Sequence, residues 1–450
     1  MPLWSSYQDA PSPDIDPFGH ARVRDRIGDQ VHVYLAGLWG VSIILGTFPA
    51  AFMTAAGAAY AILRVWATNP TYGQLFRSWL FRLLFLILLF STLSLFWSVD
   101  VPQGLDELNI FRLHIPFLLA AWPILHKRGR LWLTAGVCLS AVIAAGAQVA
   151  QASGLEFGWY DPGVPNRYPG FVHPSSTTVV QMVVGCFGIV WLCHGRSWRA
   201  RIAGLVVLAA CVTGLILAGS RASWIAAAVA WPLTLLSSAA VPIISGTAGR
   251  RAIASIGGVL LVPAISIMIV VIAKRDSVLQ RFDAARTEIS AAWVDGDYRS
   301  DTGARLFQIR LSWDLFRHRP MIGHGLGSYR QTAVEVARSI PVSPPDEDKT
   351  DGTLRQNPRP VLEHPHSAVL YTAVTTGVVG LGLWFAFWLR LFLRSVTCMR
   401  VPAGQSYYIA LPAIVVGLAV SYLLDCQNLS APGTSILMFV ACLALRPTDD

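Results

Sequence analysis

The segment EHPHSAVLYTAVTTGVVGLGLWFAFWLRLFLR, residues 363–394, indicates most directly how this chain folds. Two histidines stand just before an apolar run that begins at about Ser367 and is long enough to cross a hydrocarbon core of about 30 Å as a helix. The long polar segment of the chain, residues 274–363, ends at this point. Ionisable groups at the edge of a bilayer cost free energy and commonly mark function. We therefore expect the chemistry of this protein where the polar segment meets the span.

The composition excludes an ordinary soluble protein. Of the 450 residues, 54% are hydrophobic and 14% are charged, whereas a soluble domain carries about 25% charged residues. The apolar runs are continuous rather than alternating, which favours helices over a membrane β-barrel. We predict an all-α polytopic membrane protein with about 12 transmembrane helices and one large, partly helical periplasmic loop.

The apolar runs divide the chain into predicted spans. These are residues 31–47, 49–66, 78–98, 110–125, 131–151, 174–194, 200–218, 222–242, 252–273, 367–394, 405–424 and 428–446. Residues 1–30 form a predicted disordered N-terminal tail, 31–273 hold helices one to nine, 274–366 form the large loop, 367–446 hold the last three helices, and 447–450 form the C-terminal tail.

Lysine and arginine determine the predicted orientation. Basic residues concentrate in alternate connections, among them residues 22–26, 126–130 and 196–201. The positive-inside rule places these connections and both termini in the cytoplasm. The large loop then faces the other side, which in a Gram-negative inner membrane is the periplasm. These loops also account for the net charge of +9, so we predict membrane lipids and no nucleic acid as partners.

The large loop is predicted to contain helices. Asp301 with Thr302 can cap a first helix, Pro320 ends it, and a glycine-rich turn follows at residues 323–327. Its apolar residues recur at helical spacing and predict a stripe that lies on the membrane or on the bundle. That stripe contains Leu306, Ile309, Trp313 and Phe316. A second short helix is predicted over residues 329–338, and a mobile lid or coil over 341–360.

Four arginines on the predicted periplasmic side are candidate phosphate ligands: Arg167, Arg221, Arg305 and Arg310. A guanidinium stays charged and binds phosphate through two N–H groups. Arg221 lies in a tight hairpin where a charge near hydrocarbon costs about 2.5–3.5 kcal/mol, so it needs a partner. A lipid-linked pyrophosphate would supply one. For Arg310, a solvated or headgroup-bound side chain is the competing interpretation.

Two histidines and one aspartate are candidates for proton transfer. His364 and His366 could each accept a proton at neutral pH because imidazole has an ordinary pKa of about 6.5. Asp425, between spans eleven and twelve, could orient a histidine or pair with an arginine, and a surface cap of span twelve is the alternative. Only Glu363 accompanies the histidines, so we predict no metal site.

Other motifs argue against cofactors. The seven cysteines contain no C-x-x-C pair, which predicts neither a zinc site nor a disulfide framework. The chain also contains no Walker sequence, no G-x-G-x-x-G after a strand and no G-x-S-x-G. We therefore predict no nucleotide and no other cofactor.

The order of these motifs resembles that of the O-antigen ligase and polymerase superfamily of membrane glycosyltransferases. Four segments carry the resemblance: Arg167–Phe171, Ser220–Trp224, Arg305–Gly325, and His366-Ser367 followed by Gly377 and Gly380. The family usually has His-Asn where this chain has His366-Ser367. The resemblance covers spans six to twelve, and within the superfamily a single dominant loop is more similar to the ligases.

The resemblance implies an O-antigen ligase of lipopolysaccharide biosynthesis. It would transfer a glycan from undecaprenyl pyrophosphate to lipid A–core, without a metal and with inversion. The general base would be His366, with His364 as the fallback, and Asp425 would orient the base or pair with an arginine. The pyrophosphate would be held by Arg221 and Arg305, with Arg167 as a weaker third.

Three alternatives remain open at this stage. An O-antigen polymerase would use another carrier-linked glycan as its acceptor, and a protein O-oligosaccharyltransferase would use Ser or Thr. A transporter of an anionic solute belongs to a different class. A transporter should carry charges buried in the middle of broken spans. The charges singled out here cluster at span ends on one side, which favours an enzyme.

Overall fold

The computed structural model describes residues 17–111, 113–155, 167–244, 283, 286–340, 363–399 and 406–445. All regular secondary structure within these ranges is helical, as predicted. The helices are α1 (Pro17–Arg24), α2 (Arg26–Ser42), α3 (Thr47–Leu63), α4 (Val65–Arg77), α5 (Trp79–Ser94), α6 (Val101–Phe111), α7 (His114–Ala121), α8 (Lys127–Ala152), α9 (Pro174–His194), α10 (Trp198–Ala218), α11 (Arg221–Ile244), α12 (Asp301–His318), α13 (Tyr329–Ala337), α14 (Ala368–Cys398), α15 (Leu411–Leu424) and α16 (Ala431–Ala444).

Seven helices of the described ranges are long and apolar enough to cross a membrane, which is the pattern of a helical membrane protein. They are α5, α8, α9, α10, α11, α14 and α15, where α5 and α15 are extended by short adjoining turns. The pair α3 and α4 would add an eighth span if it crosses as one unit bent by 107°. The ninth predicted span, residues 252–273, lies outside the described residues. The total of about twelve therefore stays a prediction.

The N-terminal segment differs from the predicted disordered tail, because it is helical from Pro17 onward. Buried charges fix this region. The guanidinium of Arg64, at the bend between α3 and α4, donates to Asp25 at 2.7 Å and lies 3.7 Å from Asp29. The imidazole of His126 lies 3.3 Å from the other oxygen of Asp29. These contacts order residues that composition alone assigns to a tail.

Helix α9 is the central helix of the described bundle. Every residue from Pro174 to Val190 is buried, and α9 packs against α8, α10, α11 and α15. A helix that is apolar on all sides has no solvated face and lies in the interior. Gly188 and Gly204 allow the backbones of α9 and α10 to approach closely, because a Cβ on either would meet the other's carbonyl oxygen. The first turn of α9 is therefore held in the middle of one end of the bundle.

The loop helix α12 packs on the protein through residues outside the predicted stripe, so of the two predicted positions of that stripe only the membrane surface stays open for Ile309 and Trp313. Its buried apolar residues are Phe307, Leu311 and Leu315. Two members of the predicted stripe point outward, since Ile309 is 49% and Trp313 is 56% exposed. The inward face includes Gln308, whose side chain accepts a hydrogen bond from the Tyr329 hydroxyl at 2.6 Å. A buried polar group with a partner costs little, so apolar spacing alone did not identify the buried face.

The start of α12 is also set by a neighbouring residue. The predicted cap was Asp301 with Thr302, but the side chain of Ser300 accepts from the N–H of Gly303 at 3.0 Å. The helix begins at Asp301. Serine is among the residues that best satisfy the free N–H groups of a first helical turn. The predicted second helix is present as α13, and the predicted lid, residues 341–360, lies outside the described residues.

The glycine-rich turn at residues 323–327 packs against a break in α14 and is hydrogen-bonded to it. Gly377 has φ +66° and interrupts the helix. At this break the N–H of Val378 donates to the carbonyl of Pro320 at 2.8 Å, and the carbonyl of Thr375 accepts from the turn at 2.8 Å. A Cβ on Gly377 would collide with the Met321 carbonyl. The two glycine segments therefore form one structural unit at the base of the predicted loop.

Candidate active site

The candidate site lies at one end of the bundle, which we call the site end. It comprises the first turns of α9, α11 and α14, the segments that precede α9 and α14, and the turn between α15 and α16. The sequence-predicted residues Arg167, Arg221, His364, His366 and Asp425 all lie on these segments. Separate spans thus bring together groups that are far apart in the sequence.

The imidazole of His366 pairs with the carboxylate of Asp425. Nδ1 of His366 lies 3.5 Å from Oδ1 of Asp425. The carboxylate is fixed by its own turn, because its two oxygens accept from the N–H of Cys426 and from the side-chain amide of Gln427, each at 2.9 Å. His366 has φ +49°, the one positive φ of a non-glycine residue in the described part of the chain. Such backbone strain concentrates at functional sites.

The environment keeps Asp425 ionised. Burial alone would raise its pKa, but hydrogen bonds from the side chains of His366 and Ser175 outweigh burial and lower the pKa from 3.8 to about 2. A carboxylate that stays charged holds a proton on the facing ring nitrogen, which here is Nδ1 of His366. Nε2 is then the basic nitrogen of the neutral ring.

His364 stacks against His366 and is more enclosed. The two rings meet edge to face, with their centroids 4.8 Å apart. Nδ1 of His364 is buried without a hydrogen-bond partner among the described residues. Burial lowers the pKa of His364, and the neighbouring His366 lowers it further. His364 and His366 are therefore not equivalent, since only His366 is oriented by the carboxylate.

Two of the predicted arginines lie at the same corner of the site end. The side chain of Arg167 lies against Gly219, whose left-handed conformation (φ +65°) ends α10 just before Arg221. The N–H of Tyr168 donates to the carbonyl of Leu217 at 3.1 Å, which attaches the Arg167 segment to the end of α10. The side chain of Arg221 is exposed. Two guanidinium-bearing segments thus meet beside the α9 N-terminus.

The turn that carries Arg221 is also attached to α9. The hydroxyl of Ser223 accepts from Thr178 at 2.6 Å and lies 3.3 Å from the hydroxyl of Ser220. Both Thr178 and Ser223 are buried. These hydroxyl contacts fix the start of α11 on the central helix, so that Arg221 projects from a rigid base.

The remaining two arginines lie on α12. Arg305 is exposed on this helix. Arg310 is exposed as well, and its guanidinium donates to the hydroxyl of Tyr298 at 3.2 Å. This contact gives Arg310 a partner within the loop itself. Arg167 and Arg221, by contrast, lie beside the first turn of α9 at the site end.

Two site residues escaped the sequence analysis, His173 and Ser175. Nδ1 of His173 lies 2.8 Å from the hydroxyl of Ser175, and that hydroxyl hydrogen-bonds to Asp425. A signal for His173 was present in the sequence. His173-Pro174 directly precedes span six in the same way that His364-Pro365 precedes span ten.

Glu107 is a further residue near the site that the sequence did not indicate. The carboxylate of Glu107, on α6, is buried and accepts from the N–H of Gly327 at 2.9 Å and from the hydroxyl of Tyr371. Burial raises the pKa of Glu107. The carboxylate thus joins the glycine-rich turn to the first turn of α14, which follows His366. No sequence motif marks it, because Gly327 and Tyr371 are more than two hundred residues away from it.

The Arg167 segment is held by two buried or half-buried glutamines of α8. The amide of Gln148 donates to the carbonyl of Tyr168 at 3.1 Å. Gln151 exchanges two hydrogen bonds of 3.0 Å with the backbone of Gly170. In an apolar bundle these amides replace the backbone partners that a helix or sheet would supply. They fix the path of the loop that presents Arg167.

Comparison with known families identifies the segment that contains most of these residues. Residues 206–385 match the family model described as O-antigen ligase. This segment belongs to the O-antigen ligase and polymerase superfamily. The O-antigen ligase segment contains Arg221, Arg305 and both histidines of the pair, and the predicted resemblance is confirmed for it. No curated protein matches the chain.

Part of the site lies outside the O-antigen ligase segment. Arg167 and His173 precede it and Asp425 follows it. The family that this segment matches consists of glycosyltransferase-like enzymes. Within the described residues, no group of three or more His, Cys, Asp or Glu is placed to hold a metal ion.

Proposed function

We propose that this protein is an O-antigen ligase that transfers a glycan from undecaprenyl pyrophosphate to a sugar hydroxyl of lipid A–core. The observation that carries the proposal is the pairing of His366 with Asp425, at 3.5 Å, beside the arginine corner of Arg167 and Arg221. A base and fixed positive charges are what transfer from a pyrophosphate carrier requires. The match to the O-antigen ligase family supports the same reaction class.

His366 acts as the general base in this proposal. Nε2 accepts the proton of the acceptor hydroxyl while Nδ1–H stays hydrogen-bonded to Asp425. The acceptor oxygen forms a bond to the anomeric carbon as the bond from that carbon to the pyrophosphate oxygen breaks. Attack from the face opposite the leaving group gives an inverted product. His364 is the fallback base, and its lowered pKa makes it a weaker proton acceptor.

The arginines stabilise the leaving group. As undecaprenyl pyrophosphate departs, negative charge increases on the phosphate oxygen that was bonded to the anomeric carbon. Fixed cations in a site of low dielectric constant lower the energy of that transition state. Arg221 and Arg305 are the principal ligands in this proposal, with Arg167 as a third. Arg310 is the weakest of the four because the Tyr298 hydroxyl already binds it.

The proposed topology follows the distribution of basic residues. Both termini lie in the cytoplasm, and the site end faces the periplasm of a bacterial inner membrane. The chain crosses about twelve times, with residues 274–366 as the large periplasmic loop. In that arrangement the carrier pyrophosphate and the acceptor reach the site from the outer leaflet, without access to cytoplasmic nucleotides.

A reconstituted reaction tests the proposal. Purified protein, lipid A–core and undecaprenyl-pyrophosphate glycan are combined in EDTA without nucleotide, and the products are separated by size. Glycan on lipid A–core is the expected product. Longer glycan on the carrier would identify a polymerase instead. If neither product formed with folded protein, a Ser or Thr acceptor or transport of an anionic solute would replace this proposal.

A further inference from the structure

A cleft opens on the outer surface of the bundle between α8 and α10, and we call it the α8–α10 cleft. Its volume is about 540 Å³, within the range of about 300–1,000 Å³ that is typical of small-molecule sites. Apolar side chains line it, among them Leu139 of α8, Trp191 of α9 and Ile202 of α10. Leu139 and Ile202 are exposed, so the cleft is open towards the lipid around these spans. Arg199, in the first turn of α10, is the charged residue of the lining.

The α8–α10 cleft has about the length of one leaflet of a bilayer. Beyond one end of it, the side-chain amide of Gln148 donates to the carbonyl of Gly214 at 3.3 Å and joins the two helices. The lining on α10 extends from residue 198 to residue 207, which is about 14 Å at a rise of about 1.5 Å per residue. The hydrocarbon core measures about 30 Å. The cleft therefore accommodates a chain that enters from one side of the membrane and ends near its middle.

The open end of the cleft carries only positive charge in the two segments that adjoin it. This end lies opposite the site end, because α9 begins at the site end and α10 begins after α9 has crossed the bundle. Residues 126–131 and 195–201 contain no Asp or Glu. Their exposed basic residues are Lys127, Arg128, Arg196, Arg199 and Arg201. Basic pockets between spans on the cytoplasmic side of a membrane commonly bind anionic lipid headgroups.

Tryptophans mark the level of the headgroups at this end. Trp198 is exposed, and the guanidinium of Arg199 lies over its ring at 5.7 Å from the centroid. Trp132 of α8 is exposed as well. Tryptophan is enriched where the hydrocarbon meets the headgroups. The cleft thus begins at a basic, tryptophan-bearing surface and continues into the apolar part of one leaflet. A partner helix that crosses the membrane would need a groove along both leaflets.

We propose that the α8–α10 cleft binds one anionic phospholipid, with an acyl chain between the two helices and its phosphate at Arg199. A guanidinium binds phosphate oxygens through charge-assisted hydrogen bonds, and the apolar lining fits the acyl chain. The bound lipid would support α8 and α10 next to their contact at Gln148 and Gly214, so it should raise the Tm. This assignment is independent of the proposed function, since it concerns the opposite end of the bundle.

Lipid titration tests the charge requirement. Phosphatidylglycerol is titrated into detergent-solubilised full-length protein, and bound lipid is counted by native mass spectrometry, with phosphatidylcholine as the zwitterionic comparison. We expect one phosphatidylglycerol to bind about tenfold more tightly than phosphatidylcholine. Arg199→Gln should lower the phosphatidylglycerol affinity about fivefold and leave the phosphatidylcholine affinity unchanged. Arg317→Gln is the control for a lost charge, because Arg317 is exposed on α12.

A pair of variants on α10 tests the position of the acyl chain. Ala203 and Ala209 are both exposed, but only Ala203 lines the cleft. Ala203→Trp should fill the cleft and remove the bound lipid, whereas Ala209→Trp should retain it, and the Tm without added lipid shows that both variants fold. Equal affinities for the two lipids, or equal binding by the two tryptophan variants, would overturn the proposal. A dimer that Ala203→Trp dissociates would also overturn it, because a second copy would then occupy the cleft.

Discussion

The carboxylate of Asp425 lies 3.5 Å from Nδ1 of His366, although the two residues belong to segments separated by the whole of α14 and α15. The same carboxylate accepts a hydrogen bond from Ser175 at the start of α9. One half-buried anion therefore connects three span ends to one another. This arrangement leads to separate predictions for charge, base and backbone.

The charge of Asp425 should matter more than its shape. We expect Asp425→Asn to lower the transfer rate about 10²–10⁴-fold, because an amide can hold the His366 ring in the wrong tautomer. The measurement is kcat with saturating carrier and acceptor. Rates within twofold of wild type would show that the carboxylate is not needed to orient the base.

The pKa of Asp425 predicts a pH dependence of stability. Its pKa is lowered from 3.8 to about 2, so the carboxylate stabilises the fold above pH 3.8, and this stabilisation is lost as the pH falls through 2. The shift corresponds to about 2 kcal/mol. As the pH falls between these values, the Tm of the wild type should decrease more steeply than the Tm of Asp425→Asn. Parallel curves would contradict the assignment of the shift to this group.

The two histidines should differ in their effect on catalysis. We expect His366→Ala to lower kcat about 10²–10⁴-fold, and His364→Ala to have a much smaller effect because no carboxylate orients it. Full activity of His366→Ala together with an inactive His364→Ala would reverse the roles. Circular dichroism of both variants controls for loss of the fold.

The arginine corner should act as a unit. We expect Arg167→Ala and Arg221→Ala each to lower kcat/KM about 10–10³-fold, and the double variant to lose less than the product, because both side chains serve one pyrophosphate. Arg221→Lys should recover only part of the activity, since an ammonium lacks the two-pronged guanidinium. Arg317→Ala, on the exposed face of α12, is the control. Strictly multiplicative losses would indicate independent sites.

The break in α14 should tolerate no side chain. Gly377→Ala places a Cβ against the Met321 carbonyl at φ +66° and ψ −162°, a backbone conformation that essentially only glycine adopts and that costs another residue about 1–3 kcal/mol before any clash. We expect a lower Tm and lost activity. Gly382→Ala is the matched control in the same helix, because nothing lies within 4 Å of its Cβ, and it should be neutral or stabilising. Equal effects of the two variants would exclude the interlocked turn as the cause.

The buried carboxyl of Glu107 predicts the opposite pH dependence from Asp425. Its pKa is raised above 4.5 by burial, so its contribution to stability is complete below 4.5 and declines as the pH rises through the raised value. Glu107→Gln should make Tm less dependent on pH. Glu107→Leu leaves the Gly327 N–H and the Tyr371 hydroxyl without this acceptor, at about 1–3 kcal/mol each. A leucine variant as stable as wild type would show that Glu107 does not stabilise the contact between the glycine-rich turn and α14.

Composition and short motifs were enough to predict a helical membrane protein and to name several candidate site residues. Continuous apolar runs require helices in a bilayer, and charges at the ends of such runs stand out because they are costly there. Short motifs around Arg221, Arg305 and His366 were therefore sufficient to indicate the superfamily. Periodicity also predicted α12, although the residues that pack on the protein lie outside the predicted apolar stripe.

The contacts between these groups depend on how the helices pack and could not be read from the sequence. The contact between His366 and Asp425, the approach of Arg167 to Gly219, and the polar chain through Ser175 all join different spans. Glu107 and His173 gained their importance from partners far away in the sequence. A local sequence pattern shows that a charged residue lies near lipid, where it costs free energy. Which partner offsets that cost depends on how the helices pack.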